Sequence, residues 1–127
     1  MNQPYLDKHV LIVEDDANTA SVLARVVRAK GISTEVATTL AVARSLISHT
    51  PPALVLLDLT LPDGSGLEFL LEKRDSSKAR FIILTGDQSQ QAAVQCFRAK
   101  ADDFLTKPVS LSDLRDTIAR AADNTRL

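Results

Sequence analysis

The stretch LVLLDLTLPDGSG, residues 54–66, is the part of the chain that most directly predicts its fold. Residues 54–57 are all apolar, which is typical of a parallel strand covered on both faces by helices. The run ends on the acid Asp58, and the Pro-Asp-Gly sequence that follows favours a turn. Ser65 and Glu68 then stand at the spacing of a capping box, which marks the start of a helix. The stretch therefore predicts a strand, a turn and a helix, with a carboxylate at the end of the strand.

The same alternation of short apolar runs and helical patterns extends along the chain. It predicts five strands, at residues 9–13, 33–37, 54–57, 81–84 and 104–105. It also predicts five helices, at about residues 18–30 and 40–49, from Ser65, at about 88–99 and from Ser110. The expected buried stripes include Val22, Leu23, Leu70, Leu71, Leu111 and Leu114. Strict alternation predicts a doubly wound α/β fold, with a parallel five-stranded sheet and helices on both faces.

Length and composition fit one domain. We predict a single domain over residues 1–127, with its core at about 8–122. No apolar run approaches the ~20 residues that a membrane span needs. The net charge of −1 gives no electrostatic reason to bind nucleic acid or anionic lipid directly. With one cysteine and no secretory signal at the start, the expected location is cytoplasmic, with no membrane contact.

Charged or hydroxylated residues follow four of the five predicted strands. Glu14 and Asp15 follow the first, Asp58 the third, Thr85 the fourth and Lys107 the fifth. Because functional sites of such sheets lie beyond the carboxyl ends of the strands, we expect these side chains to lie together. Three carboxylates would repel one another, and a hard divalent cation, Mg²⁺, is expected to relieve that repulsion. Phosphoryl transfer needs a cation, an ammonium group, a hydroxyl group and a carboxylate nucleophile, and the predicted site offers all four.

Each of these residues, taken alone, also has a structural interpretation. Asp16 could cap the first helix, since acids favour a helix N-terminus. Thr85 could be an ordinary strand residue and Lys107 a solvated surface charge. His9 and His49 have no metal-ligand spacing, so neither is assigned to a site. The shared position at one edge of the sheet is what favours the functional interpretation.

In this order and at these separations, the motifs resemble those of a receiver domain of a two-component response regulator. The resemblance rests on the pair Glu14-Asp15, on Asp58 followed by LTLPDGSG, on Thr85-Gly86 and on Lys107-Pro108. It implies a flavodoxin-like sheet with strand order 2-1-3-4-5. It also implies that Asp58 accepts a phosphoryl group from a sensor histidine kinase or a phosphotransfer protein.

The resemblance further implies how Mg²⁺ is held. Asp15, Asp58 and the backbone carbonyl of Thr60 correspond to the family's metal ligands. Glu14 stands where the family has an acid that acts largely through water. The side chain of Thr60 need not be polar for this role, since its carbonyl is the ligand.

A phosphate-binding and switching role is implied for Thr85, Lys107 and Phe104. Thr85 and Lys107 would bind the phosphoryl group, and Phe104 would turn into the space that Thr85 vacates. Thr60 and Asp87 occupy positions that modulate the lifetime of the phosphoryl group in the family. The output surface would be formed by the fourth helix, the fifth strand and the fifth helix.

The expected function is a phosphorylation switch, not a dedicated enzyme, that controls an output such as transcription through a domain outside this chain. A stand-alone receiver or a phosphorelay intermediate is the alternative. A haloacid-dehalogenase-type aspartate phosphohydrolase is less favoured, because Thr60 stands where that family needs a second Asp. A phosphorylation-dependent homodimer is compatible with the family. However, Thr117 replaces the Arg that its winged-helix transcription factors usually use for dimer pairing.

Overall fold

A single parallel sheet forms the centre of the molecule. The computed structural model describes residues 9–86, 94, 95 and 98–124. The strands of the sheet are β1 (His9–Val13), β2 (Ser33–Ala37), β3 (Leu54–Asp58), β4 (Arg80–Thr85) and β5 (Asp103–Thr106). They are parallel and lie in the order β2-β1-β3-β4-β5, which confirms the predicted topology. Residues 60–61 and 64–65 pair separately as a short antiparallel hairpin, called here the 60–65 hairpin.

Helices connect the strands, and polar side chains cap their N-termini. They are α1 (Ala17–Arg28), α2 (Leu40–His49), α3 (Gly66–Lys73) and a C-terminal helix (Leu111–Asn124). Asp16, Thr39, Ser65 and Ser110 each accept a hydrogen bond from the backbone N–H three residues further on. The helix predicted at about 88–99 lies largely outside the described residues. None of the described helices has the length and apolarity to cross a bilayer.

The core has two halves because alternate strand residues face opposite sides of the sheet. One half joins Val10, Ile12, Leu54, Leu56, Ile82 and Leu84 to α1 and the C-terminal helix. The other joins Leu11, Val13, Val55, Leu57, Phe81 and Ile83 to α2 and α3. Each inner strand is therefore covered on both faces, which explains its unbroken apolar sequence and confirms the predicted arrangement of layers.

The predicted buried stripes were wrong at three helix positions. Val22, Leu71 and Leu111 are 43%, 46% and 42% exposed. Successive helix residues are about 100° apart, so the neighbours of a buried residue turn toward the flank of the helix. In α3 the fully buried pair is Phe69 and Leu70, and this pair leaves Leu71 outside.

Candidate functional site

The register of the strands places the predicted site residues at one edge of the sheet. Asp58, the last residue of β3, pairs in register with Leu84 of β4. Thr85 follows Leu84 and ends β4, and its carbonyl accepts a 2.8 Å hydrogen bond from the backbone N–H of Lys107. Glu14 directly follows β1, the neighbour of β3 on its other side. The parallel sheet thus gathers residues that are far apart in the sequence.

Three carboxylates form a compact cluster at this edge. Glu14, Asp15 and Asp58 each offer an oxygen within 4.8 Å of the other two. Glu14 is fully buried and Asp58 is 6% exposed, whereas Asp15 faces solvent. Carboxylate oxygens on an open cleft are the ligands that hard divalent cations prefer. The donor set therefore fits such a cation, with Asp15 on the solvent side.

Lys107 lies between the two buried carboxylates. Its Nζ is 2.6 Å from Oε1 of Glu14 and donates a hydrogen bond to Oδ2 of Asp58 at 3.0 Å. Among the described residues of the site, Lys107 brings a single positive charge to three carboxylates, so negative charge is in excess there. That excess charge is the electrostatic reason for a further cation to bind there.

Burial and ion pairing have opposing effects on the pKa values of Glu14 and Lys107. Burial raises the pKa of Glu14 above its ordinary value, and the hydrogen bond from Lys107 offsets this only in part. Burial alone would lower the pKa of Lys107. Its hydrogen bonds to Glu14 and Asp58, with their charges, outweigh that effect and raise the pKa above its ordinary value. Lys107 is therefore held as a cation at neutral pH.

Backbone groups hold the carboxylates in place. The N–H of Asp16 donates to Oε2 of Glu14 at 3.1 Å, and the N–H of Thr60 donates to Oδ1 of Asp58 at 3.2 Å. Each buried carboxylate thus has one oxygen near Lys107 and the other near a backbone N–H. The side chain of Asp16 instead caps α1 and accepts from both the N–H and the hydroxyl of Thr19.

The remaining predicted site residues lie at different depths. Thr85 is buried, Phe104 is half-buried against the α2–α3 half of the core, and the side chain of Thr60 is exposed. The Lys107–Pro108 peptide bond is cis. Asp87, expected to modulate phosphoryl lifetime, lies outside the described residues. Thr117 is buried in the C-terminal helix, where its hydroxyl accepts from Arg120.

Two residues that shape the site were not predicted. A Cβ on Gly66 would overlap the carbonyl oxygen of Asp58, so α3 begins directly against the end of β3. Glycine at the first position of a helix, where other residues are better helix formers, was a usable signal of such close approach. Asp63 bonds to the backbone of α2, more than twenty residues earlier in the chain. No local pattern indicates a partner so far away in sequence.

Comparison with known proteins gives consistent matches. The photosynthetic apparatus regulatory protein RegA of Rhodobacter capsulatus is 33% identical over 113 residues, which are 88% of this chain and 61% of RegA. The KDP operon transcriptional regulatory protein KdpE of Escherichia coli K12 is 33% identical over 107 residues, 84% of this chain and 48% of KdpE. The chain thus spans about half to three-fifths of the length of these relatives.

Structural comparison and a family profile lead to the same group of proteins. The CheY-like response regulator receiver domain protein of Methanospirillum hungatei JF-1 has a TM-score of 0.87 and 29% identity. That match covers 94% of this chain and 96% of the other. The profile described as "Response regulator receiver domain" matches residues 10–119. The profile covers most of the chain, and the sheet order and the carboxylates at the strand ends are those that the resemblance implied. The chain therefore belongs to the response regulator receiver domain family.

Proposed function

We propose that this receiver domain accepts a phosphoryl group on Asp58 from the phosphohistidine of a sensor histidine kinase or a phosphotransfer protein. The observation that carries the proposal is the position of Asp58. Its carboxylate ends the central strand, receives a hydrogen bond from Lys107 and lies in a cluster with Glu14 and Asp15. A carboxylate set among opposite and like charges in this way is suited to act as a nucleophile toward phosphorus.

The transfer needs little chemistry from the protein beyond positioning and charge. One oxygen of Asp58 attacks phosphorus, the bond between phosphorus and the histidine nitrogen breaks, and the imidazole leaves with the bonding electron pair. The product is an acyl phosphate on Asp58. Lys107, whose Nζ is 3.0 Å from Oδ2 of Asp58, would neutralise charge on the transferred group. The domain would act as a switch, with loss of its own phosphoryl group as its only hydrolysis.

Mg²⁺ is the cation that we assign to the acidic cluster. Asp15, Asp58 and the backbone carbonyl of Thr60 would hold it, and Glu14 would act through water. When bound, it would supply neutralisation of the charge on the phosphoryl oxygens. The fit rests on three hard oxygen donors with one exposed member, Asp15. Glu14 is fully buried beside the site, and its ion pair with Lys107 opposes the rise in its pKa that burial causes.

Thr85 and Phe104 would convert phosphorylation into a change at the surface. Thr85 ends β4, the neighbour of the strand that Asp58 ends, and its hydroxyl would bond a phosphoryl oxygen. Phe104 lies beside Ile83 in register and is only half-buried, which allows it to turn inward when Thr85 moves. The population of the inward state would rise on phosphorylation and alter the face formed by β5 and the flanking helices.

The output that we propose is transcription control in the cytoplasm through a further domain. RegA and KdpE are regulatory proteins by name, and each extends well beyond the part that this chain matches. A phosphorylation-dependent homodimer through the β5 face is a second way to pass on the signal. The burial of Thr117 means that this residue is not available to pair with a partner on that face.

Incubation with acetyl phosphate and Mg²⁺ tests the proposal. We expect intact-mass spectrometry to detect the addition of one phosphoryl group to the wild type and none to Asp58→Asn. Asp75→Asn is the matched control, because it also replaces an acid by its amide but at a side chain that is 89% exposed. This control should be labelled like the wild type. Label retained by Asp58→Asn, or no label on the wild type, would contradict the proposed function.

A further inference from the structure

Asp63 makes a contact that the proposed function does not use. Its Oδ1 accepts a hydrogen bond from the N–H of Leu40 at 2.8 Å, and its Oδ2 accepts one from the N–H of Ala41 at 3.0 Å. These donors belong to the first turn of α2, where backbone N–H groups have no partner within the helix. Hydrogen bonds from Leu40 and Ala41 lower the pKa of Asp63, so that it is ionised at neutral pH.

The N-terminus of α2 also has a cap of its own in the adjoining sequence. The hydroxyl of Thr39 already caps the helix by accepting from the N–H of Val42 at 3.2 Å. Asp63 bonds two other N–H groups, and it does so across 22 and 23 residues of sequence. Its bidentate contact is therefore a tether between two separate parts of the fold.

The tether holds the tip of the 60–65 hairpin. Asp63 lies in the turn that joins the two paired segments, Thr60–Leu61 and Gly64–Ser65. Next to it, a Cβ on Gly64 would lie 3.0 Å from Cδ1 of Leu40, so that the tip also packs closely on α2. The polar and apolar contacts together fix the hairpin against the first turn of α2.

The base of the same hairpin is joined to the acceptor residue. The N–H of Thr60 donates to Oδ1 of Asp58, and the N–H of Gly66 donates to the carbonyl of Leu59 at 2.9 Å. The hairpin is thus held at its base by the acceptor strand and at its tip by Asp63. The Thr60 carbonyl, proposed as a cation ligand, lies between these two anchors.

We propose that Asp63 is a positioning residue for the cation and phosphoryl site: by tethering the hairpin tip to α2, it sets where the Thr60 carbonyl lies relative to Asp58. The inference rests on the proposed function, since it concerns a ligand of that site. Loss of the tether leaves only the packing of Gly64 on Leu40 to hold the hairpin tip, while the base keeps its anchor. The Thr60 carbonyl then spends less time in the binding geometry, and the affinity for Mg²⁺ falls.

The experiment compares Asp63→Ala and Asp63→Asn with the wild type in the acetyl phosphate reaction over a range of Mg²⁺ concentrations. We expect Asp63→Ala to raise the Mg²⁺ concentration for half-maximal rate by about tenfold, as partners of metal ligands do. The rate at saturating Mg²⁺ should change less than twofold. Asp63→Asn keeps one acceptor and should lie between the wild type and Asp63→Ala. Calorimetric titration with Mg²⁺ alone should give the same order of affinities.

Thr39→Ala is the matched control, because it removes the other cap of α2 and leaves the tether in place. It should lower the melting temperature but leave the half-maximal Mg²⁺ concentration within twofold of the wild type. If Thr39→Ala shifts Mg²⁺ binding as much as Asp63→Ala, or if both Asp63 variants bind Mg²⁺ like the wild type, Asp63 is not a positioning residue. Either result leaves the proposed function intact. A wild type that takes no phosphoryl group and binds no Mg²⁺ overturns the proposed function and this inference with it.

Discussion

At the scale of single residues, Lys107 controls the charge balance of the site. It lies 2.6 Å from an oxygen of Glu14 and 3.0 Å from an oxygen of Asp58, and both carboxylates are buried. A buried carboxylate that loses its cation stays desolvated and loses the opposite charge that offsets the cost of burial. Lys107 therefore contributes to folding as well as to the proposed binding of the phosphoryl group.

We expect Lys107→Met to destabilise the metal-free protein by about 1–3 kcal/mol at pH 7, less than for a fully buried pair because Lys107 is partly exposed. Without the ammonium, the already raised pKa of Glu14 rises further. An acid whose pKa is raised in the folded state destabilises the fold at pH values above that pKa. The destabilisation is lost as the pH falls through that pKa, because the acid takes up a proton in the folded state. The difference from the wild type should thus be smaller at a mildly acidic pH than at pH 7. Urea unfolding in EDTA at both pH values measures it.

Lys73→Met is the matched control for that series. Its side chain is 22% exposed, compared with 25% for Lys107, but its partner Glu72 is itself 43% exposed. We expect an effect within about 0.5 kcal/mol at either pH. If Lys107→Met and Lys73→Met lower the free energy of unfolding equally, or if the effect of Lys107→Met does not depend on pH, the buried Glu14 does not need a neighbouring cation.

The residue types of the site could be predicted from sequence, but their pairing could not. Strand ends in a parallel sheet are predictable, so Glu14, Asp15, Asp58 and Lys107 were expected at one edge. The direct ion pair between Glu14 and Lys107 depends on side-chain rotamers, which spacing does not encode. The tether from Asp63 was missed because the Pro-Asp-Gly sequence was interpreted as a local turn.

At the scale of elements, the start of α3 lies directly against the end of β3. Gly66 begins this helix directly against the carbonyl of Asp58, and a Cβ there would overlap that oxygen. Strand positions were predicted closely because an apolar run covered on both faces has clear limits. Which residue of an amphipathic helix faces outward was predicted less well, as Val22 and Leu71 illustrate, because that depends on the exact rotation of the helix on the sheet.

Gly66→Ala should destabilise the fold by about 1–3 kcal/mol, because the added methyl group meets backbone, which cannot rotate away. Alanine is favoured over glycine in a helix by about 1 kcal/mol, but the cost of the clash is larger than this gain. Gly86→Ala is the matched control: among the described residues, leaving out its chain neighbours, no atom lies within 4 Å of a Cβ at this position, so its stability should stay within about 0.5 kcal/mol of the wild type. Thermal unfolding of both variants measures the contrast, and a neutral Gly66→Ala would mean that α3 can shift away from Asp58.

At the scale of the whole molecule, charge is distributed unevenly. The chain carries a net charge of only −1, yet three carboxylates meet one ammonium at a single sheet edge. The carboxylate cluster exists only when β1 and β3 are paired, because Glu14 and Asp15 follow β1 and Asp58 ends β3. A cation that binds there binds the folded state alone, so it must stabilise folding by linkage.

Mg²⁺ should therefore raise the melting temperature. At ten times its dissociation constant the stabilisation is about 1.4 kcal/mol, or about 5 °C for a domain of this size. Asp15→Asn should melt higher than the wild type without Mg²⁺, since it relieves repulsion within the cluster, and should lose most of the response to Mg²⁺. Asp75→Asn changes the net charge equally but at an exposed side chain, and should respond like the wild type. If NaCl at the same ionic strength raises the melting temperature equally, the effect is charge screening, and this result would contradict a specific cation site.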